Sequence, residues 1–288
     1  MEDLRVSQSP YYGKCIILTT KHEKGIAIGP AFQEKLGAGI IEYHSDTDIF
    51  GTFTGEIERE ANALETVRRK CELGLKNVNA DYAIANEGSF GPHPALPMIP
   101  CGHEIMYFID RKRGLNLHLS HITEKTNYAT TVVDSWDALQ KFAHKAGFPS
   151  HALIIRPNEW IDKTLIFKGV NDLDALNHAF NESRKFSPDK KVFVTTDMRA
   201  HLNPTRMKVI NTLAANMAER LACLCPHCKS PGWGKVRCEP GLDCAQCGNE
   251  TTLIKNEIFG CNVCSYEVTS LLSKNNLADP MYCIHCFP

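Results

Sequence analysis

Apolar and polar positions change rhythm repeatedly along the chain, and each change marks an element. CIILTT at 15–20 is a short unbroken apolar run rich in β-branched residues, which predicts a buried strand. A helix over 27–36 and a strand over 38–43 follow. Asn62 then reads as an N-cap, with Glu65 three residues on as its capping-box partner. Leu64, Val67, Cys71 and Leu75 recur at helical spacing and fall on one face of the helix it starts, whereas Arg68, Arg69 and Lys70 fall off it.

DYAIAN at 81–86 is a further strand, and the apolar stretches 105–109 and 115–120 predict a meander with no helix between them. A helix over 136–146, a strand over 152–156, a helix over 172–183 and a strand over 192–196 continue the alternation. Asn203-Pro204 is a strong helix start, because asparagine caps and proline is pre-set for the first helical position. Met207, Ile210, Leu213, Ala214, Met217 and Leu221 make the buried stripe of that helix, which runs directly into Cys225. Strands alternating with helices, and a meander among them, predict an α/β fold with a mixed sheet.

The rhythm then stops, and cysteine takes over. Ten of the thirteen cysteines lie at or after Cys223, eight of them as Cys-x-x-Cys pairs: Cys225/Cys228, Cys244/Cys247, Cys261/Cys264 and Cys283/Cys286. Each pair aims two thiolates at one point, and two pairs complete a tetrahedral zinc site. The expectation is therefore two structural zinc ions in a cysteine-rich zinc-ribbon domain over 221–288, behind an α/β domain over 1–220. Sequential pairing, first with second and third with fourth, is preferred over an interleaved arrangement. Glycines after the knuckles, such as Gly248, would supply the tight backbone. Cys223 and Cys238 are left over.

Composition bounds the rest. Length and a hydrophobic content of 43% allow a substantial core. No apolar run approaches the ~20 residues of a membrane helix, and no signal-peptide pattern opens the chain. These point to a soluble, cytoplasmic protein with reduced thiols and no membrane partner. The tail carries Lys229, Lys235, Arg237, Lys255 and Lys274 against Glu239, Asp243, Glu250, Glu257, Glu267 and Asp279, five against six. That sign disfavours nucleic acid as a partner, since phosphate contacts call for a basic surface.

Four polar segments follow strands, where α/β sheets bind ligands. TTKHEK at 19–24 could hold a phosphate with Lys24 and helix-start amides. Asp46, Asp48, Glu56 and Glu58, around the glycines of GTFTGEIER at 51–59, suit magnesium. EGSFGPHP at 87–94 reads as a loop offering Glu87 as metal ligand or base, with Ser89 and His93 beside it. DMRAHLNPTR at 197–206 gathers Asp197, Arg199, His201 and Arg206, a set suited to an anionic substrate or to an internal Asp–Arg pair.

The motifs GTFTGEIER, EGSFGPHP and TDMRAHLNPTRM, with the CPHC and CAQC knuckles, resemble a bacterial family known as a domain of unknown function. That resemblance spans nearly the whole chain and implies no activity. LTTKHEK at 18–24 and AIANEGSFG at 83–91 also resemble the inosine/xanthosine triphosphate pyrophosphatase superfamily, over the first 95 residues or so. That resemblance implies Lys24 on a phosphate, with Glu58 and Glu87 placing Mg²⁺ and the attacking water.

Two functions emerge. One is a metal-dependent hydrolase of a small phosphorylated or nucleotide substrate. In it Glu87, Asp197, His201 and Glu58 are catalytic, Lys24, Arg59, Ser89, His93, Arg199 and Arg206 bind substrate, and Glu56, Glu58 and Glu87 hold magnesium. The alternative is a non-catalytic zinc-ribbon adaptor contacting protein or RNA.

Overall fold

The computed structural model describes residues 4–45, 61–159, 164–271 and 277–287. Asp46, Asp48, Glu56, Glu58 and Arg59 lie outside those residues. After a short helix α1 (Leu4–Ser7), the chain builds β1 (Cys15–Thr20), α2 (Gly25–Leu36), β2 (Gly39–His44), α3 (Ala63–Val78), β3 (Tyr82–Pro92), β4 (Pro100–Asp110) and β5 (Leu115–Thr123). These strands form one sheet in the order β2-β1-β3-β4-β5, parallel across β2, β1 and β3 and antiparallel beyond. The sheet is mixed, as the run-and-periodicity pattern predicts.

Alternation along the strands feeds two cores. On one face Ile16, Leu18, Tyr82, Ile84, Met106 and Phe108 pack against α2 and the long helix α6 (Pro204–Ala222). On the other, Ala83, Ala85, Ile105, Tyr107 and Ile109 receive Val67, Cys71 and Leu75 of α3. The small Ala83 and Ala85 let α3 lie close. Asn62 caps α3 by accepting from the Glu65 amide. The reciprocal half of the expected capping box is absent, because the Glu65 carboxylate is taken by Arg68 and Arg69.

A second sheet, β6 (Thr130–Val133), β7 (Leu153–Pro157), β8 (Phe167–Val170) and β9 (Val192–Thr196), has the order β6-β9-β7-β8. Helices α4 (Trp136–Ala146) and α5 (Leu173–Phe186) cover it, and its core is separate, built on Leu139, Leu153, Ile155, Leu176, Phe180 and Val194. Neither β6 nor β8 stands out in the sequence, since each is four residues long with one buried side chain.

α6 begins where the sequence places it, with Asn203 capping the Arg206 amide and Pro204 in the first turn. Its far end feeds the tail, where β10 (Gly234–Pro240), β11 (Ile254–Gly260) and β12 (Glu267–Leu271) form an antiparallel sheet. Arg220 near the end of α6 donates to the carbonyls of Gly232 and Lys235, both at 2.7 Å, tying helix to tail. Asn262 donates to the Asn116 carbonyl on β5. No described helix is long and apolar enough to cross a membrane.

Candidate functional sites: a strand-end charge network and two cysteine centres

β1 crosses through α2 to β2, and β2 returns past β1 through α3 to β3, so the connections diverge between β1 and β3. That point, beyond the carboxyl ends of the strands, is where open α/β sheets take ligands. Lys24 sits there. Glu23 just before it adopts a left-handed backbone (φ 50°), uncommon for a side chain of this kind, and the chain turns into α2. The Lys24 ammonium is buried and donates to the Asn86 carbonyl of β3 at 2.8 Å. Burial, then the charges of Arg206 and Lys70, pull its pKa from 10.5 down to about 7.

Two buried ion pairs flank it, one on each face of the sheet. On the α3 side Lys70 pairs with Glu87 at 2.5 Å. On the α6 side Arg206 pairs with Glu104 at 2.7 Å and also donates to the Met198 carbonyl. Asn86 donates to Glu104. Gly88 makes room for this arrangement, since a Cβ there would come within 2.5 Å of both Arg206 Nη2 and Glu104 Oε1. Three buried polar atoms at these strand ends have no hydrogen-bond partner: Thr19 Oγ1, His22 Nδ1 and Asn86 Oδ1.

The 197–206 segment reaches the same place. Arg206 joins the network directly, and His201 stacks on His22 with ring centroids 5.1 Å apart. Burial, with the charge of Lys24 next, holds the His22 pKa down at about 2, and burial and Arg199 lower that of His201, so both rings are neutral at pH 7. Asp197 is fully buried; its carboxylate accepts from the Arg199 guanidinium and from the Arg199 and Gly169 amides. The internal Asp–Arg pair is thus present.

EGSFGPHP is not a loop. β3 continues through it to Pro92, laddered to β4 as far as Pro92↔Pro100. The hairpin partner supplies the hydrogen bonds, so two glycines do not break the strand. Ser89 lies on the Glu87 face opposite His103. His93 stands at the hairpin tip, where its Nδ1 accepts from the amides of Ala95 and Leu96, away from Lys24.

Lys24, Glu87, Arg206 and His201 therefore come together; Arg199 and Asp197 adjoin them, and His93 does not. Sequence reasoning missed Lys70 and Glu104. Both carried a signal: Lys70 shares the 66, 67, 70, 71, 74 helical stripe, and Glu104 alternates with the inward-facing Met106 and Phe108.

The tail forms two four-cysteine clusters, each with its sulfurs within 4.8 Å of one another. Cys225 and Cys228 meet Cys261 and Cys264; Cys244 and Cys247 meet Cys283 and Cys286. The pairing is interleaved, which overturns the sequential expectation. The ladder explains it: antiparallel β10 and β11 bring Gly234 beside Gly260, so the knuckle before β10 faces the knuckle after β11. β12 then carries the chain back along β11 to the second knuckle, where Cys244 bridges to Ala278. The two centres sit at opposite ends of a seven-residue ladder, roughly 20 Å apart.

The geometry suits a metal. Nearest cross-pair sulfurs are 3.8, 3.6, 3.8 and 3.5 Å apart. A tetrahedral ion with ~2.3 Å Zn–S bonds has edges of about 3.8 Å, whereas a disulfide is about 2.05 Å. After three of the four second cysteines the next residue has positive φ: Lys229 (60°), Gly248 (73°) and Ser265 (57°). Only one is glycine, so the knuckle backbone forms without the glycines the sequence suggests for it.

A family model described as a domain of unknown function (DUF6671) matches residues 70–288, which includes α3 from Lys70 onward, the second sheet and the whole tail. The chain belongs to this family. Glu87, Glu104, Arg206 and all eight paired cysteines fall in the DUF6671 span, while β1 and Lys24 precede it. No curated protein and no solved structure matches the chain, so nothing beyond the sequence supports a likeness to the pyrophosphatase superfamily.

Proposed function

We propose that the chain is a phosphohydrolase of small phosphorylated or nucleotide substrates, working between the ends of β1 and β3. The observation that carries this is Lys24. Among the described residues its buried ammonium, with three donors, has a single carbonyl acceptor and no carboxylate partner. Among the described residues, Lys24, Lys70 and Arg206 outnumber Glu87 and Glu104 by one basic group. A substrate phosphate would supply both the missing acceptors and the missing negative charge.

Phosphoryl transfer asks a protein mainly for positioning and charge stabilisation, and this cation cluster offers both. Water attacks phosphorus, the bond to the leaving oxygen breaks, and the proton passes to the leaving group. Glu87 and Asp197 are engaged by Lys70 and Arg199, so neither is assigned as the base. Magnesium rests on Glu56 and Glu58 together with Glu87, and the described residues alone form no carboxylate cluster. In the tail, the ion of both centres is inferred to be zinc; with four thiolates each, the sites are closed and structural.

The test is a phosphate-release screen over nucleoside triphosphates and sugar phosphates, with and without Mg²⁺, comparing the wild type with Lys24→Met. Release by the wild type and a loss of about 100-fold in the variant are expected. No release by the wild type, or equal release by both, sinks the reading.

One observation favours the adaptor reading as an additional role. Met281, Tyr282, Ile284 and Phe287 are all more than half exposed around the second cysteine centre.

A further inference from the structure

Past the end of β1, the β3–β4–β5 ladder carries a pocket that the charge network does not use. β1 pairs with β3 at Ile17↔Ala83 and Leu18↔Ile84, while β3 and β4 stay paired to Pro92↔Pro100. Alternation puts Ser89 and Gly91 on the same face as Glu87. Across the ladder Ser89 faces His103, Gly91 faces Cys101, and His103 lies beside Ile122 of β5. These residues, with Pro92 and Pro94, line about 220 Å³ of open space.

Two details say what would fill it. His103 Nε2 is buried and has no hydrogen-bond partner, although the Cys101, Pro92, Pro94 and Ile122 walls around it are apolar. At Gly91 nothing lies within 4 Å of where a Cβ would stand. Apolar walls, one imidazole nitrogen and one hydroxyl suit a flat heteroaromatic ring whose edge carries donors and acceptors. Lys24 binds the carbonyl of Asn86, three residues before Ser89, so the pocket lies about 10 Å along the strand from it.

We propose that this pocket is a nucleobase subsite, with His103 and Ser89 reading the ring edge, and that the substrate is a nucleotide rather than a sugar phosphate. The proposal rests on the phosphohydrolase reading and extends it. The ribose spans the interval between Lys24 and Ser89, and the ring enters beside Gly91.

The experiment is calorimetric binding to the full, metal-loaded chain, using the four common nucleoside 5′-monophosphates and ribose 5-phosphate. Wild type, His103→Leu and Ile122→Trp are compared, the last filling the pocket while keeping the imidazole of His103. At least one nucleotide should bind wild type about 10-fold more tightly than ribose 5-phosphate, and each variant should erase that preference while still binding ribose 5-phosphate. A thermal melt like the wild type's qualifies a variant, and Ile122→Trp carries the test if His103→Leu fails it. Ribose 5-phosphate binding as tightly as every nucleotide, or a preference that survives in a qualified variant, overturns the subsite and leaves the Lys24 reading intact. Binding of no phosphate compound at all overturns both.

Discussion

The five-stranded sheet and the cysteine-rich tail bury different things. Behind the sheet, Phe32, Phe108, Met106, Leu18 and Leu36 are fully enclosed, and α2, α3 and α6 close over both faces. In the described part of the tail after α6 the buried apolar side chains are Cys225, Pro231, Cys244, Ile258, Cys261, Ala278 and Cys283, and four of those seven are cluster cysteines. No described residue after α6 joins any of the three apolar cores. The sheet can therefore hold itself together by hydrophobic burial, with room to enclose charged pairs. The described tail has no comparable core, so ions in the two cysteine clusters would have to hold it.

Chelation should break this comparison most sharply. Elemental analysis should give two metal ions per chain, and stripping them should unfold the tail while leaving the sheets intact. The loss would be on the order of 10 kcal/mol of binding-coupled folding energy. Hydrogen exchange is the readout: β10, β11 and β12 should lose protection and β3 and β4 should keep it. The interleaved pairing has its own signature. Cys225→Ser with Cys261→Ser should cost one ion, whereas Cys225→Ser with Cys244→Ser should cost two. Sequential pairing demands the reverse.

That contrast also explains what was legible from the chain. The clustering cysteines were readable because Cys-x-x-Cys is a local device; their pairing was not, because the β10–β11 ladder that decides it is a long-range contact. α4, β1, β9 and the Asn203-Pro204 start were readable because an unbroken run, a period or a cap specifies each on its own. β3 was read short, ending at Asn86, because Gly88, Gly91 and Pro92 look like a loop until β4 is laid beside them. Lys24, Glu87 and Arg206 could be named as site residues. Their partners were missed, Lys70 because it was placed off the apolar face of its helix and Glu104 because it precedes the stretch read as a strand; a helical stripe or a strand face tolerates one charged member only when another element brings its counter-ion.

Within the sheet, Glu104→Gln tests whether enclosed charge is structural in its own right. Arg206 and Glu104 are both buried, so the substitution leaves a guanidinium enclosed without its counter-charge, at a cost of about 3–5 kcal/mol. Asp137→Asn, which breaks the exposed Asp137–Lys141 pair of α4, should cost about 0.5 kcal/mol or less. Urea midpoints for the two variants measure the contrast. Near-equal losses would mean that water reaches the Arg206 site, and the enclosed network would lose its special standing.

The last prediction tests Lys24 itself. Its folded pKa is depressed to about 7 from 10.5, so between those values the unfolded chain holds more protons than the folded one, and stability rises with pH. The cost of enclosing the ammonium is complete below pH 7 and fades toward pH 10.5. The slope should approach about 1 kcal/mol per pH unit between pH 8 and 9. Cysteine ligands also titrate in alkaline solution, so the informative quantity is the difference between wild type and Lys24→Met, both metal-loaded, in urea unfolding at pH 6.5, 7.5, 8.5 and 9.5. Lys24→Met should be the more stable protein at pH 6.5, and its advantage should shrink as pH rises. Adding phosphate at pH 6.5 should narrow the same gap, because an anion at Lys24 stabilises only the wild type. Parallel curves with and without phosphate would show that Lys24 titrates like a solvated lysine, which would remove the charge on which the proposed site depends.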